Sequence, residues 1–309
     1  MLSSRYKEQV ELLLKLLPHV AKEETLALKG GTAINLFVWD MPRLSVDIDL
    51  TYVTVSDTRE TALDNISTAL QRIDENVKRM IPGISVTHIP QGQGDDVKLN
   101  CQLRNAHVKI EVNTTTRGIL FPTRRMMLSE VVQSEFKMFA ETNVVSHGEL
   151  FGGKICAALD RQHPRDLFDI HNLFNSVGFS NDITLGFIMF LVSHYRPIHD
   201  LVFAHYHDQE DDFEKQFAGM TTVPFDYTMF QETRSRLTSE IHRILAPREK
   251  QFLISFEQGE PEWELIDLPN LRDLPAVKWK LLNIQKLKED NPRKHATQLT
   301  ELTEKFASI

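Results

Sequence analysis

The chain has 309 residues with a hydrophobic fraction of 41%, enough for one large core or two ordinary ones. Its formal net charge of −8 excludes a surface-wide basic coat, so any nucleic acid must meet a local patch. No stretch approaches membrane-span length and the N-terminus MLSSRYKEQV has no apolar signal core, so the expectation is a cytoplasmic protein without a membrane partner. Cys101 and Cys156 lie in apolar-rich segments and read as buried free thiols of a reducing compartment.

Residues 5–22 read as a helix with a stripe of Val10, Leu13, Leu14 and Leu17, and with Pro18 near its end. Leu26 to Leu50 organises the rest. A short apolar run meets Gly30-Gly31-Thr32, and a stretch with helical spacing follows through Ile34, Leu36 and Phe37. After Pro42-Arg43 comes a strand-like alternation with Ser45, Asp47 and Asp49 on one face and Val46, Ile48 and Leu50 on the other. Taken singly, two glycines after a strand mark a turn, and Asp-x-Asp is a polar strand end. Together they suggest more. A Gly-Gly-Thr turn that opens a helix aims backbone N–H groups at an anion. Two carboxylates at i, i+2 on a strand project side by side and can share a hard divalent cation. Phosphate cradle plus paired carboxylates is what metal-dependent phosphoryl or nucleotidyl transfer requires.

Asp57-Thr58-Arg59-Glu60 has capping-box spacing and opens an amphipathic helix with Leu63, Ile66, Leu70, Ile73 and Val77 on one face, stopped by Pro82-Gly83. Ile84 to Ile89 and Val97 to Leu103 alternate as two strands of a hairpin around the polar connection 91–96, whose Asp95-Asp96 reads as turn chemistry. His107 to Asn113 is a third alternating strand, with Val108, Ile110 and Val112 on one face and Lys109 and Glu111 on the other. The segment Thr114 to Arg125, rich in hydroxyls and arginines, is either a grip on an acceptor's phosphates or a solvated loop.

Ser129 to Phe139 and Gly148 to Arg161 read as helices. Lys154 lies among Phe151, Ile155, Ala158 and Leu159, so it must snorkel outward or meet a carboxylate or phosphate. Pro164 starts the next helix, on which Asp166 and Asp169 share a face; acids in a first turn are also accounted for by the helix dipole. Beyond residue 176 the spacing predicts helices over 183–195, 230–245, 274–290 and 295–307, with an acidic run at Asp208 to Glu214 and a loop at Glu257 to Asp267. His194, His199, His205 and His207 match no compact zinc spacing and read as surface or packing histidines. The C-terminal lysines with Trp279 either hold RNA or form a solvated helix face.

Two motif pairs carry a resemblance. GG-T-A-x-x-L followed by S-x-D-I-D-L, from Gly30 to Leu50, resembles the nucleotidyltransferase signature of the DNA-polymerase-β superfamily, and more closely its AbiEii/AbiGii-type branch, which includes the MenT toxins. That branch comprises toxin nucleotidyltransferases of type IV toxin–antitoxin and abortive-infection systems. Its second half, a lysine in a small-residue helix followed by Arg-Asp-x-aromatic-Asp, is matched by Gly153-Lys154-Ile155 and Arg165-Asp166-Leu167-Phe168-Asp169. The resemblance covers roughly the first 175 residues, and no family motif is found beyond them.

The resemblance implies an α/β fold: a polymerase-β-like nucleotidyltransferase domain with a small mixed sheet over 1–130, then a mostly helical half over 131–309 carrying the Lys/Asp motif into a shared cleft. It implies one or two Mg²⁺ ions on Asp47 and Asp49. Glu111 would be the third acid, as metal ligand or general base. Gly30, Gly31 and Thr32 would bind the triphosphate, Lys154 would neutralise phosphate charge, and Asp166 or Asp169 would orient Lys154 or touch the nucleotide. The expected partners are a nucleoside triphosphate, tRNA accepting at its 3′ end, and a cognate antitoxin protein that restrains a block on translation. A transferase acting on a protein or small molecule, and a non-catalytic nucleotide-binding module, are the alternatives.

Overall fold

The computed structural model describes residues 4–91 and 95–309. The chain divides into two compact units, one running to Ser146 and including Gly219–Pro224, the other made of His147–Ala218 and Phe225–Ile309.

The first unit is built on one mixed sheet. Its elements in order are α1 (Ser4–Val20), β1 (Leu26–Lys29), a short helix α2 (Gly30–Ala33) continued by a π-turn over Ile34–Val38, β2 (Ile48–Tyr52), α3 (Arg59–Met80), β3 (Ser85–Gln91), β4 (Asp95–Leu103), β5 (Ala106–Asn113), β6 (Arg124–Met127), α4 (Glu130–Phe136) and β7 (Glu141–Val144). The seven strands run in the order β3-β4-β5-β2-β1-β7-β6. β2 pairs with β5, and β1 with β7, in parallel, and the other neighbours are antiparallel. The alternation read from the sequence sorts the faces. Leu28, Ile48, Leu50, Ile110, Val112 and Leu99 are buried on one side, where α1 packs on β5 and α3 on β4. The predicted stripe of α3 (Leu63, Ile66, Leu70, Ile73, Val77) is buried throughout, each residue contributing about 1.5–3 kcal/mol.

Several local expectations shift. The cap of α3 is Thr58, whose hydroxyl accepts from Thr61 N at 3.2 Å. Asp57 instead accepts hydrogen bonds from the Tyr52 hydroxyl and from Asn65. The tip of the β3–β4 hairpin, residues 92–94, lies outside the described residues, and Asp95 and Asp96 belong to β4. The helix expected over Ser129 to Phe139 ends at Phe136, where Lys137 turns left-handed (φ 52°) and β7 begins four residues later. Arg124 and Arg125 belong to the edge strand β6, and Arg125 pairs with Glu141 at 3.1 Å across to β7.

The second unit is helical: α5 (His147–Arg161), α6 (Pro164–Asn175), α7 (Asn181–Leu191), α8 (Ile198–Val202), α9 (Glu210–Asp212) continued by a π-turn over Phe213–Phe217, α10 (Tyr227–Ile244), α11 (Pro247–Gln258), α12 (Pro275–Asp290) and α13 (Pro292–Ala307). α5 and α7 cross in backbone contact. A methyl at Gly152 would overlap the Gly186 backbone, and one at Gly186 would overlap the Gly148 carbonyl. The small residues beside Lys154 are therefore spent on this crossing. Cys101 in the first unit and Cys156 in the second are buried free thiols, and burial pushes the Cys101 thiol up to about 12. No helix among the described residues is long and apolar enough to cross a membrane.

Candidate active site

Strand register assembles a row of charged side chains in the first unit. Lys29 at the end of β1 is opposite Asp49 on β2, Asp49 is opposite Glu111 on β5, and Glu111 is opposite Lys98 on β4. Residues in register share a face, so four adjacent strands carry a row that reads Lys98, Glu111, Asp49, Lys29. Lys98 Nζ lies 2.8 Å from Glu111 Oε1. Burial lowers the pKa of the Lys29 ammonium, while the charges of Asp49 and Glu111 oppose that fall. Asp47 sits two residues before Asp49, just outside β2, and both are half-buried.

The Gly-Gly-Thr turn packs against this row. Lys29 is extended, and Gly30 has φ 71°, a left-handed conformation that glycine adopts without penalty, so the chain reverses directly into α2. A methyl at Gly30 would sit 2.7 Å from Asp49 Oδ2, and one at Gly31 would sit 2.7 Å from Arg43 Nη2 and 3.1 Å from Ser45 Oγ. Both glycines thus admit the protein's own polar side chains. Thr32 is wholly buried; its hydroxyl meets Ser45 Oγ at 2.8 Å and donates to the Asp47 carbonyl. What Thr32 offers a ligand is its backbone N–H, while its side chain fixes the segment carrying Asp47. No side chain caps the N-terminus of α2.

The donor set can be judged against a divalent ion. Among the described residues no three His, Cys, Asp or Glu side chains form a ready-made metal group. Two neighbouring carboxylates do suit Mg²⁺, which is commonly held by one or two carboxylates and completed by waters and substrate phosphates. Asp47 and Asp49 fit that role. Glu111, engaged by Lys98, would have to exchange its partner to join them.

The second unit holds the other motif as an ion cluster whose lysine and two aspartates are buried and whose arginine is exposed. Lys154 is 7% exposed, and its Nζ lies 2.7 Å from Asp166 Oδ1 and 3.0 Å from Asp169 Oδ2. Asp166 and Asp169 are 1% and 0% exposed. The guanidinium that closes on Asp166 belongs to Arg161, not to the adjacent Arg165 of the motif. Arg161 Nη2 donates to Asp166 Oδ1 at 3.0 Å and Nε donates to Oδ2. Burial alone would raise the Asp166 carboxyl, but Lys154 and Arg161 outweigh it and hold the group well below the usual carboxylate range. Pro164 sits at the first turn of α6 as the sequence predicts, capped by His163.

Lys29, Lys98, Arg43 and Arg161 were not legible as site residues. Ser45 belongs to the S-x-D-I-D-L motif, which by itself gives it no role. The one available signal was Lys29 immediately before the glycines, and its pairing with Asp49 depends on a hairpin whose connection is itself irregular.

The segment 114–125 is partly tied down. Asn113 Oδ1 accepts from Thr115 N and Thr116 N at 2.9 Å each, and Gly118 N donates to the Tyr52 carbonyl at 2.7 Å.

Comparison with known proteins supplies the context. The family model described as "Nucleotidyl transferase AbiEii toxin, Type IV TA system" matches residues 11–282. Among solved structures the chain is similar to MenT4, a nucleotidyltransferase toxin from Mycobacterium tuberculosis H37Rv, at 14% identity and a TM-score of 0.61. That match covers 91% of this chain and 95% of the other. No curated protein matches significantly. The chain thus belongs to the AbiEii family of nucleotidyltransferase toxins of type IV toxin–antitoxin systems, whose membership implies a nucleoside triphosphate substrate and an antitoxin partner.

Proposed function

We propose that this toxin transfers a nucleotidyl group from a nucleoside triphosphate to the 3′-hydroxyl of tRNA, blocking translation in the setting of phage defence. The observation that carries the reading is the register of β1, β2 and β5, which sets Asp49 beside Glu111 with the Gly30-Gly31 turn against the Asp49 carboxylate. Asp47 and Asp49 would hold Mg²⁺. When bound, the ion would neutralise triphosphate charge and polarise the phosphorus that is attacked. Thr32 and Ser45 keep the Asp47 segment fixed, so the carboxylates are in place before substrate arrives. The backbone N–H groups that open α2 would meet the phosphates. Glu111 would accept the proton of the attacking hydroxyl or add a metal ligand. Lys154 would serve the phosphates through its third N–H, keeping Asp166 and Asp169 as its partners.

The net charge of −8 favours a second acceptor class, a protein or small-molecule hydroxyl. One experiment separates the two. Purified toxin is incubated with each α-³²P-labelled nucleoside triphosphate, Mg²⁺ and total tRNA, alongside tRNA whose terminal diol has been oxidised with periodate. Label in intact tRNA and none in oxidised tRNA is expected. Equal labelling of both, or label only in protein, would overturn the tRNA 3′-end reading.

A further inference from the structure

The acid row is bracketed by lysines at both ends. Lys98 is bound to Glu111 at 2.8 Å on one side, and Lys29 is in register with Asp49 on the other. Both carboxylates therefore already have positive charge beside them, supplied by the sheet itself. A divalent ion entering alone gains less from two carboxylates that are already compensated, and it meets repulsion from two ammonium groups. An ion arriving with a triphosphate meets a different balance, because the lysines can turn from the carboxylates to the phosphate oxygens.

Resting on the function proposed above, we infer that Lys29 and Lys98 are positioning residues that hold the place of the divalent ion in the free protein, so that metal is taken up with nucleotide and not before it. Lys98 keeps Glu111 away from the Asp pair until the exchange, and Lys29 balances Asp49. Both lysines lie on strands whose other face is core, so the backbone fixes the row. The exchange is one of side-chain partners, with no movement of the sheet.

The test is a titration of the full-length protein with Mn²⁺, followed by electron paramagnetic resonance of the free ion, with and without a non-hydrolysable α,β-methylene triphosphate. Lys98→Met and Lys29→Met should each bind Mn²⁺ alone about tenfold more tightly than wild type, the change expected from removing one nearby cation. Lys98→Arg should restore weak binding. For Lys98 the gain should shrink as ionic strength rises, since Lys98 and Glu111 are 33% and 36% exposed. With the triphosphate present, the variants should lose nucleotide affinity. Lys29→Gln and Lys98→Gln, checked by melting, stand in if a methionine variant folds poorly. Asp49→Asn separates this inference from the reading beneath it. If wild type shows no Asp49-dependent Mn²⁺ uptake even with the triphosphate, the metal assignment fails and the inference with it. If Asp49-dependent uptake is present but the lysine variants bind Mn²⁺ alone no more tightly, the inference alone is overturned.

Discussion

The acid row of the sheet and the ion cluster on α5 and α6 contain the same kinds of side chain and differ in how far water reaches them. On the sheet, Lys98 and Glu111 are 33% and 36% exposed. On the helices, Lys154, Asp166 and Asp169 are 7%, 1% and 0% exposed, and Arg161, at 62%, is the member of the cluster that meets solvent. Charges that keep solvent contact can exchange one partner for another at modest cost, because water solvates the intermediate arrangement. Charges sealed from water cannot, because any unpaired member bears the full desolvation penalty. The row is suited to handling ions that come and go. The cluster is suited to holding one lysine and two helices in a fixed arrangement, whatever further part Lys154 plays.

That contrast breaks most sharply at Asp49. Asp49→Asn should lower nucleotidyl transfer on the order of a thousandfold, as loss of a charged group at a phosphoryl-transfer centre does, while the melting temperature stays close to wild type. A large fall in melting temperature would make Asp49 a structural residue.

Lys154→Met is the mirror experiment. It takes the lysine away from buried Asp169 and leaves Asp166 with Arg161 alone, which should cost about 3–5 kcal/mol and several degrees of melting temperature. Adding Asp166→Asn and Asp169→Asn should recover part of the loss, because neutral side chains no longer need the cation. Unchanged stability in Lys154→Met would show that water reaches the cluster. Activity of this variant is informative only at temperatures where it is folded.

Smaller effects sharpen the comparison. Gly30→Ala places a β-carbon in a left-handed conformation and 2.7 Å from Asp49 Oδ2, so it should cost about 1–2 kcal/mol and also impair transfer by displacing that carboxylate. Impaired stability with normal transfer would detach the turn from the site. The pH dependence of the cluster is smaller still. The folded pKa of Asp166 lies below its unfolded value, so its contribution to stability is complete above about pH 4 and is lost as pH falls further. Below pH 4, wild type should lose more melting temperature than Asp166→Asn does, and parallel losses would contradict the assignment.

Much of this was legible in the sequence because it is local. Gly30-Gly31, Asp47 and Asp49 lie within one short stretch, and α3, α5 and α6 carry their periodicity and starting signals in their own residues. What escaped depends on partners distant in the chain. β6 and β7 have four residues each and become strands because β7 lies between β1 and β6, which no local propensity records. α11 is a different kind of miss. Pro247 in its first turn, the Phe252, Leu253 and Phe256 stripe and Gly259 closing it at φ 88° were all readable. The acid row could be half read, since Asp49 and Glu111 were named, but Lys29 and Lys98 join it only through strand register. Arg161 reaches Asp166 from the preceding helix, so the adjacency of Arg165 in the motif misled.

The most direct test of the account is which phosphorus is transferred. Wild type and Asp49→Asn, compared at equal folded fraction, are each given a nucleoside triphosphate labelled at the α or at the γ position, together with tRNA and Mg²⁺. The account predicts that the α-label enters the acceptor, the γ-label leaves with pyrophosphate, and Asp49→Asn leaves both at background. Transfer of the γ-label, or α-label transfer that survives in Asp49→Asn, would contradict it.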